Sequence, residues 1–274
     1  MSISVIVRVR DEAEALDRCL TLIDYQQGLG AAPELIVVDN DSQDTSAAVA
    51  RRHGAQVVRI SRPRFTFGRA LNLGASVAHG SVLVALSAHA YVHDTGWLAR
   101  IAAWLDDPRI ACASGERYWP DASPLLAPVS YDAFLARGYP RWGYSNVAGA
   151  FRAALWRERH FREDLPGAED KEWGRYWALA DRGVTLLDPG LVVDHDHSRD
   201  RVAEVFTRAH REAAGMAMYL NGAAPRTPLL REWFDDPRLY ANPWRARFSP
   251  RRTAWLLGER LGAATAQLSS RAGR

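Results

Sequence analysis

The strongest constraint on this chain is an alternation of two periodicities. Ser2–Val9 (SISVIVRV) is β-branched and alternating, which reads as a strand. Arg10-Asp11-Glu12 then opens a helix, with apolar Ala15, Leu16, Cys19, Leu20 and Ile23 along one face. Glu34–Val38 (ELIVV) is a short unbroken apolar run, the pattern of a parallel strand buried on both faces. A helix over Thr45–His53 and a strand over Gln56–Ile60 continue the series. Strands alternating with helices in this way predict an α/β fold: a doubly wound, mostly parallel sheet with right-handed crossovers, flanked by helices.

In such a sheet, ligands bind outside the carboxyl ends of the strands. Two strand ends carry chemistry. The second strand ends in Asp39-Asn40-Asp41-Ser42, beside the helix opened by Asp44-Thr45. Asp39 can accept hydrogen bonds from a base or ribose; it can equally cap the helix, although Ser42 and Asp44 are better placed for that. Farther on, Arg64–Ala90 reads as a turn, a helix (Gly68 to Ala78) and an apolar strand (Val82 to Leu86) that ends in Ser87-Ala88-His89. A strand-end histidine serves a ligand or a buried carbonyl with equal ease. No GxGxxG follows the first strand and no GxxxxGK[ST] occurs, which argues against a dinucleotide fold and excludes a P-loop.

The second half is less regular. Trp97–Leu105 is an amphipathic helix and Ile110–Ser114 a strand. Arg117–Tyr144, rich in Pro, Tyr and Trp, is too long for an idle connection and reads as a binding loop. Tyr144–Phe151 is compact and leads into a helix from Arg152. Pro166-Gly167 forces a turn, after which Glu169-Asp170 opens a helix over Lys171–Arg182. Carboxylates there are stabilised by the helix dipole, and one of them can serve as a general base. Leu191–Val193 reads as a strand leading into Asp194-His195-Asp196-His197, imidazoles flanked by acids, as in a metal ligand with its supporting carboxylates or in a solvated cluster.

From Asp200 the pattern is helical, with Val202, Val205, Phe206, Ala209, Ala213 and Met216 on one face. The tail Trp233–Arg274 interleaves Trp244, Phe248, Trp255 and Leu256 with arginines. Residues 199–274 carry 14 Arg against 7 acids, so +7, which leaves −4 for the remainder of a chain whose formal net charge is +3. This extension is expected to pack on the domain or on a second subunit, a homodimer contact, or to lie on a membrane surface. Nucleic acid is not expected, because no binding module accompanies the charge. Cys19 and Cys112 match no zinc or disulfide spacing, and no apolar run reaches the length of a membrane span. A cytoplasmic protein, peripheral at the inner membrane surface if the tail binds there, is the expectation.

Taken together, SVIVRVRDEAEAL, ELIVVDNDSQDT, RFTFGRALNLGASVAHG with VLVALSAHA, and SNVAGAFRAALW through LPGAEDKEW to VVDHDH resemble inverting nucleotide-sugar glycosyltransferases of family 2, which have the GT-A fold. The rhamnosyltransferase-like branch is the most similar. The resemblance covers Ser2 to about Ser198. It implies a domain over 1–198, with a nucleotide-sugar half (1–115) and an acceptor and catalytic half (116–198), followed by a helical extension over 199–274. By position it implies nucleotide contacts at Arg8, Val9, Arg10, Glu12, Asp39, Asp41, Asn72, Ser87, Ala88 and His89, with Gly74 beside Asn72 in the supporting helix. It implies Asp170 as the catalytic base with Glu169 beside it, and a divalent metal (Mn²⁺ or Mg²⁺) at His89 with His195 or His197. Trp119, Trp142, Asn146, Arg152 and Trp173 are expected on the acceptor side, where a glycan, lipid-linked, peptide or natural-product hydroxyl would receive a sugar from a nucleoside-diphosphate donor. The family's Asp-x-Asp motif falls on Ser87-Ala88-His89, a departure that weakens the expected metal site.

Overall fold

A computed structural model of the chain describes residues 1–195, 200–220 and 249–272. Eight strands form one sheet: β1 (Ile3–Val9), β2 (Glu34–Asp39), β3 (Gln56–Arg59), β4 (Val82–Ser87), β5 (Ile110–Gly115), β6 (Val129–Tyr131), β7 (Ala148–Arg152) and β8 (Val184–Asp188). Their order is β3-β2-β1-β4-β7-β5-β8-β6, with only β6 and β7 running antiparallel to the rest. The nine helices of the described residues are α1 (Ala13–Asp24), α2 (Ser46–Arg52), α3 (Phe67–Ser76), α4 (Trp97–Trp104), α5 (Ala133–Gly138), α6 (Ala153–Glu158), α7 (Glu169–Leu179), α8 (Val202–Tyr219) and α9 (Pro250–Ala272).

The pleat sends alternate residues of each strand to opposite faces. Val5, Val7, Val84 and Leu86 join Leu16, Leu20 and Trp97 in one core; Ile6, Ile36, Leu83 and Ala85 join Leu71, Phe151 and Trp173 in the other. Gly74 lets α3 lie directly on the sheet, since a Cβ there would stand 2.4 Å from the Ile6 side chain. The first five elements match the alternation in the sequence, although the first helix begins at Ala13, three residues after Arg10.

The second half departs from expectation in three places. Arg117–Tyr144 contains β6 and α5 rather than irregular chain alone. The compact stretch before Arg152 is itself strand β7, which inserts antiparallel between β4 and β5 and so ties the two expected halves into one sheet. Leu191–Val193 is not a strand: the strand is Val184–Asp188, and Pro189–Leu191 is a 3₁₀ turn. Short runs such as VTLLD and LVV, without flanking periodicity, do not distinguish a buried strand from other buried segments.

The extension docks on the domain. Gly258 and Gly262 bring α9 against the backbone of α8, where added Cβ atoms would meet Phe206 O at 2.6 Å and His210 O at 2.0 Å. At Gly215 of α8, a Cβ would fall 1.8 Å from Gly167 O, so α8 lies on the turn that precedes α7. Tyr219 Oη donates to Pro140 O, and Arg141 pairs with Glu259. The tail positions Trp233, Trp244 and Phe248 lie outside the described residues, as does His197.

Candidate active site

Parallel strands β1, β2 and β4 end together, and the register pairs Val9 with Asp39 and Arg8 with Ser87. The loops after β1 and β2 interlock. Gln43 N–H donates to Asp11 Oδ1, Asp11 N–H to Ser42 Oγ and Glu12 N–H to Ser46 Oγ, while Asp44 accepts from both Ala13 and Ser46. Asp11 and Asp41 adopt φ of 52° and 55°, a left-handed turn conformation that Asp tolerates. With Asp44 capping both helices, Asp39 is left with one engaged oxygen. Its Oδ1 accepts from Ser42 N–H, whereas Oδ2 is buried without a hydrogen bond, 3.7 Å from Arg59 Nε. A buried carboxylate oxygen without a donor is costly unless a ligand supplies one.

His89 stands across this edge. Its Nδ1 lies 2.8 Å from Glu12 Oε1, and its ring stacks on that of His195 with centroids 4.7 Å apart. Two imidazoles, one oriented by a carboxylate, form a donor set acceptable to Mn²⁺. Among the described residues no three His, Cys, Asp or Glu side chains converge to hold an ion. The two imidazoles alone make only a partial shell, and a metal here would need further ligands.

The acidic pair lies on the other face. Because Asp39 pairs with Val9, the neighbouring Arg8 emerges on the opposite side of the sheet, toward α3 and α7. Its Nη2 donates to both Asn146 O (2.7 Å) and Asn146 Oδ1 (3.1 Å). Asn146 in turn donates from Nδ2 to Glu169 Oε1 (2.6 Å) and from its backbone N to Asp170 Oδ2 (3.0 Å). One asparagine thus orients both carboxyls. Lys171 N–H donates to Asp170 Oδ1, and Lys171 Nζ holds the carbonyls of Gly143 and Tyr144. The turn carrying Asn146 is packed so tightly that a Cβ on Gly149 would meet Ser145 O at 2.4 Å.

The two acids differ in setting. Glu169 is only 2 % exposed, and burial together with the charge of Asp170 pushes its carboxyl up to about 7, against the pull of Arg8. Asp170 is half-exposed at the first turn of α7. Burial lowers the Arg8 guanidinium, and Glu169 and Asp170 oppose that shift.

Several expected contacts take other positions. Asn72 has every polar atom engaged within the protein: Nδ2 donates to Phe161 O and Glu163 Oε1, and Oδ1 accepts from Trp156 Nε1 and Phe161 N. It pins α3 to the segment before α7 and has no capacity left for a nucleotide. Arg152 pairs with Val82, the first residue of β4, and so sits at the opposite edge of the sheet from Ser87. There it donates to the carbonyls of Leu105, Asp107 and Ile110, which removes it from the acceptor side. Trp173 is fully buried, with Nε1 donating to Arg159 O, and belongs to the core. Val9 and Ala88 point into the core, so only their backbone can touch a ligand. Arg10 is exposed beside Asp11, and Asp41 is exposed. Trp119 and Trp142 stack at 5.3 Å, and Trp142 Nε1 donates to Glu116. Asn146, expected on the acceptor side, is the strap of the acidic pair instead; its burial between two carboxyls left no trace in local sequence. The contact of Glu12 with His89 likewise joins positions 77 residues apart.

The pattern of glycosyl transferase family 2 matches residues 4–164 of this sequence. The chain belongs to that family. The match ends just short of Glu169-Asp170. An uncharacterized glycosyltransferase of Mycobacterium tuberculosis (strain ATCC 25618 / H37Rv) is 34% identical over 105 residues, 38% of this chain and 44% of that protein. The match thus spans less than half the length of this relative. Among solved structures, the mannosyltransferase PcManGT from Pyrobaculum calidifontis, in complex with GDP-Man and Mn²⁺, aligns with a TM-score of 0.67 at 19% identity, covering 98% of this chain and 87% of that one. Staphylococcus aureus TarS 1-349, in complex with UDP-GlcNAc, aligns with a TM-score of 0.58 at 13% identity, covering 100% and 93%. The glycosyl transferase fold of this chain is therefore GT-A, a mostly parallel sheet flanked by helices with further helices at the C-terminal end.

Proposed function

We propose that this family 2 glycosyltransferase moves a hexose or deoxyhexose from a nucleoside diphosphate to an acceptor hydroxyl with inversion, and that Asp170 is the general base. The observation that carries the reading is the setting of Asp170. It is a half-exposed carboxylate at a helix start, with each oxygen oriented by a backbone N–H and its buried neighbour Glu169 held apart by Asn146. A base must be fixed in direction yet reachable by the proton it takes.

Asp39 offers Oδ2, which accepts no hydrogen bond within the protein, to a donor group of the base or ribose. The diphosphate then lies along the carboxyl edge by Ser87 and His89. His89 and His195 would hold a divalent ion, which supplies positive charge to the departing diphosphate; PcManGT was solved with Mn²⁺ and a nucleotide sugar. Asp170 accepts the proton of the acceptor hydroxyl as its oxygen bonds to the anomeric carbon. The bond from that carbon to the diphosphate oxygen breaks, and its electron pair leaves with the diphosphate. Attack from the face opposite the leaving group inverts the centre. The stacked Trp119 and Trp142 offer apolar ring faces to a sugar acceptor. No helix of the described residues is long and apolar enough to cross a membrane; a cytoplasmic enzyme acting at the membrane surface is consistent with this.

The test combines calorimetry and turnover. Wild type should bind one of UDP, GDP or dTDP and hydrolyse or transfer from the corresponding sugar nucleotide. Asp170→Asn should keep that affinity while turnover falls about 10²–10⁴-fold. Unchanged turnover would remove Asp170 from the role, and no binding of any nucleotide would remove the function.

A further inference from the structure

The half-buried arginines of this domain are, as a rule, paired. Arg141 holds Glu259, Arg159 holds Glu172 and Arg208 holds Asp200. Arg211, on α8, is different. Among the described residues no carboxylate or carbonyl engages its guanidinium, and its Nε is buried without a partner. The side chain is nevertheless fixed. Its stem packs on Gly167, whose added Cβ would stand 3.3 Å from Arg211 Cγ, and its head lies over the Phe67 ring, 4.3 Å from the centroid.

The same ring carries a second cation. The Arg8 guanidinium lies 5.7 Å from the Phe67 centroid, is 8 % exposed, and leaves Nε and Nη1 without partners. Two arginines converge on one phenylalanine, and the nearby acids are committed elsewhere. Glu169 is bonded to Asn146 and Asp170 to two backbone amides. Glu212, the neighbour of Arg211, makes no hydrogen bond or ion pair with it among the described residues; burial and Asp170 push its carboxyl up, and Arg211, Lys171 and Arg208 oppose that shift. Guanidinium donors that point at no anion in the protein are matched by carboxylate or phosphate oxygens.

We propose that Arg211, backed by Arg8, forms an anion subsite beside Asp170 that receives a carboxylate or phosphate of the acceptor, close to the hydroxyl that is glycosylated. The placement separates it from the donor. Arg8 leaves β1 on the α3 and α7 face, whereas Asp39 leaves β2 on the other. Arg211 packs on Gly167, two residues before Glu169. The inference rests on the reading of Asp170 as base, and it gives α8 of the C-terminal extension a direct part in acceptor choice.

The probe is inorganic phosphate, titrated calorimetrically onto the full chain alone and with the nucleoside diphosphate already saturating. Wild type should bind phosphate in both cases. Arg211→Gln should weaken phosphate binding about 10-fold or more, with Arg211→Lys falling between, while nucleotide affinity stays within about twofold. The retained nucleotide affinity also reports that the variant is folded. Equal phosphate affinity in Arg211→Gln, or no phosphate binding by wild type, overturns the subsite. Loss of phosphate binding once nucleotide is bound, or a parallel loss of nucleotide affinity in the variant, assigns Arg211 to the donor diphosphate and overturns the acceptor role. If no nucleotide binds wild type, the transferase reading fails instead, and the titration with phosphate alone still judges the subsite.

Discussion

Glu169→Gln is the sharpest probe of the acidic pair, because pairing with Arg8 and burial predict opposite outcomes. Removing a charge that faces buried Arg8 looks destabilising. The carboxyl of Glu169, however, titrates at about 7 in the folded chain with the attraction of Arg8 already included, against 4.5 for an ordinary glutamate. The neutral form is therefore the one the fold prefers. Below pH 4.5 both folded and unfolded chains are protonated and nothing is lost. Between 4.5 and about 7 the unfolded chain ionises first, so stability falls as pH rises, and above about 7 the loss is complete. Each pH unit between the two values is worth about 1.4 kcal/mol, so the ionised group costs about 3 kcal/mol at pH 8. Gln keeps an oxygen to accept from Asn146 Nδ2 and carries no charge. Urea unfolding at pH 5, 6, 7 and 8 should show the variant and wild type close together at pH 5. The variant should pull ahead to about 3 kcal/mol at pH 8. A variant equally or less stable at pH 8 would refute the argument and show that the field of Arg8 outweighs burial.

Other perturbations separate site from scaffold. Asn72→Ala strands the Trp156 indole N–H and both backbone groups of Phe161, and should cost about 3–5 kcal/mol by chemical denaturation. Asp39→Asn keeps the Ser42 contact but turns a charged acceptor into an amide, and should weaken nucleotide binding about 10-fold in calorimetry. Arg152→Met releases three carbonyls at the far edge of the sheet, and should lower stability by about 1–3 kcal/mol while kcat/KM is unchanged.

Legibility followed sequence distance. The β-α-β-α-β series, with ELIVV and VLVAL as buried strands, could be read because each strand declares itself within a few residues. Asp39 stood out because Asp44 supplies the caps, and the structure leaves its Oδ2 without a hydrogen bond accordingly. Strands β7 and β8 were missed or shifted because the small-residue run AGAFR and the mixed run VTLLD have neither clean alternation nor a continuous apolar stretch. Arg152 and Trp173 had the right chemistry for an acceptor site, but register and burial place one at the wrong edge and the other in the core. Arg211 gave no signal at all; within its own segment it is one basic residue on an amphipathic helix.

By itself the sequence determined the α/β class, the parallel strands whose carboxyl ends share one edge, and the acidic pair at the start of α7, since periodicity, apolar runs and helix-start acids are local properties. Tertiary structure decided which face each side chain leaves by and what it meets there. A shift of one residue along β1 moves a side chain from the Asp39 face to the Glu169 face, so Arg8 joined the acids rather than the expected nucleotide contacts. Only the packing of α8 on Gly167 brings Arg211 to the same place, because contacts between residues dozens of positions apart are set by the closed geometry of the whole sheet and its helices.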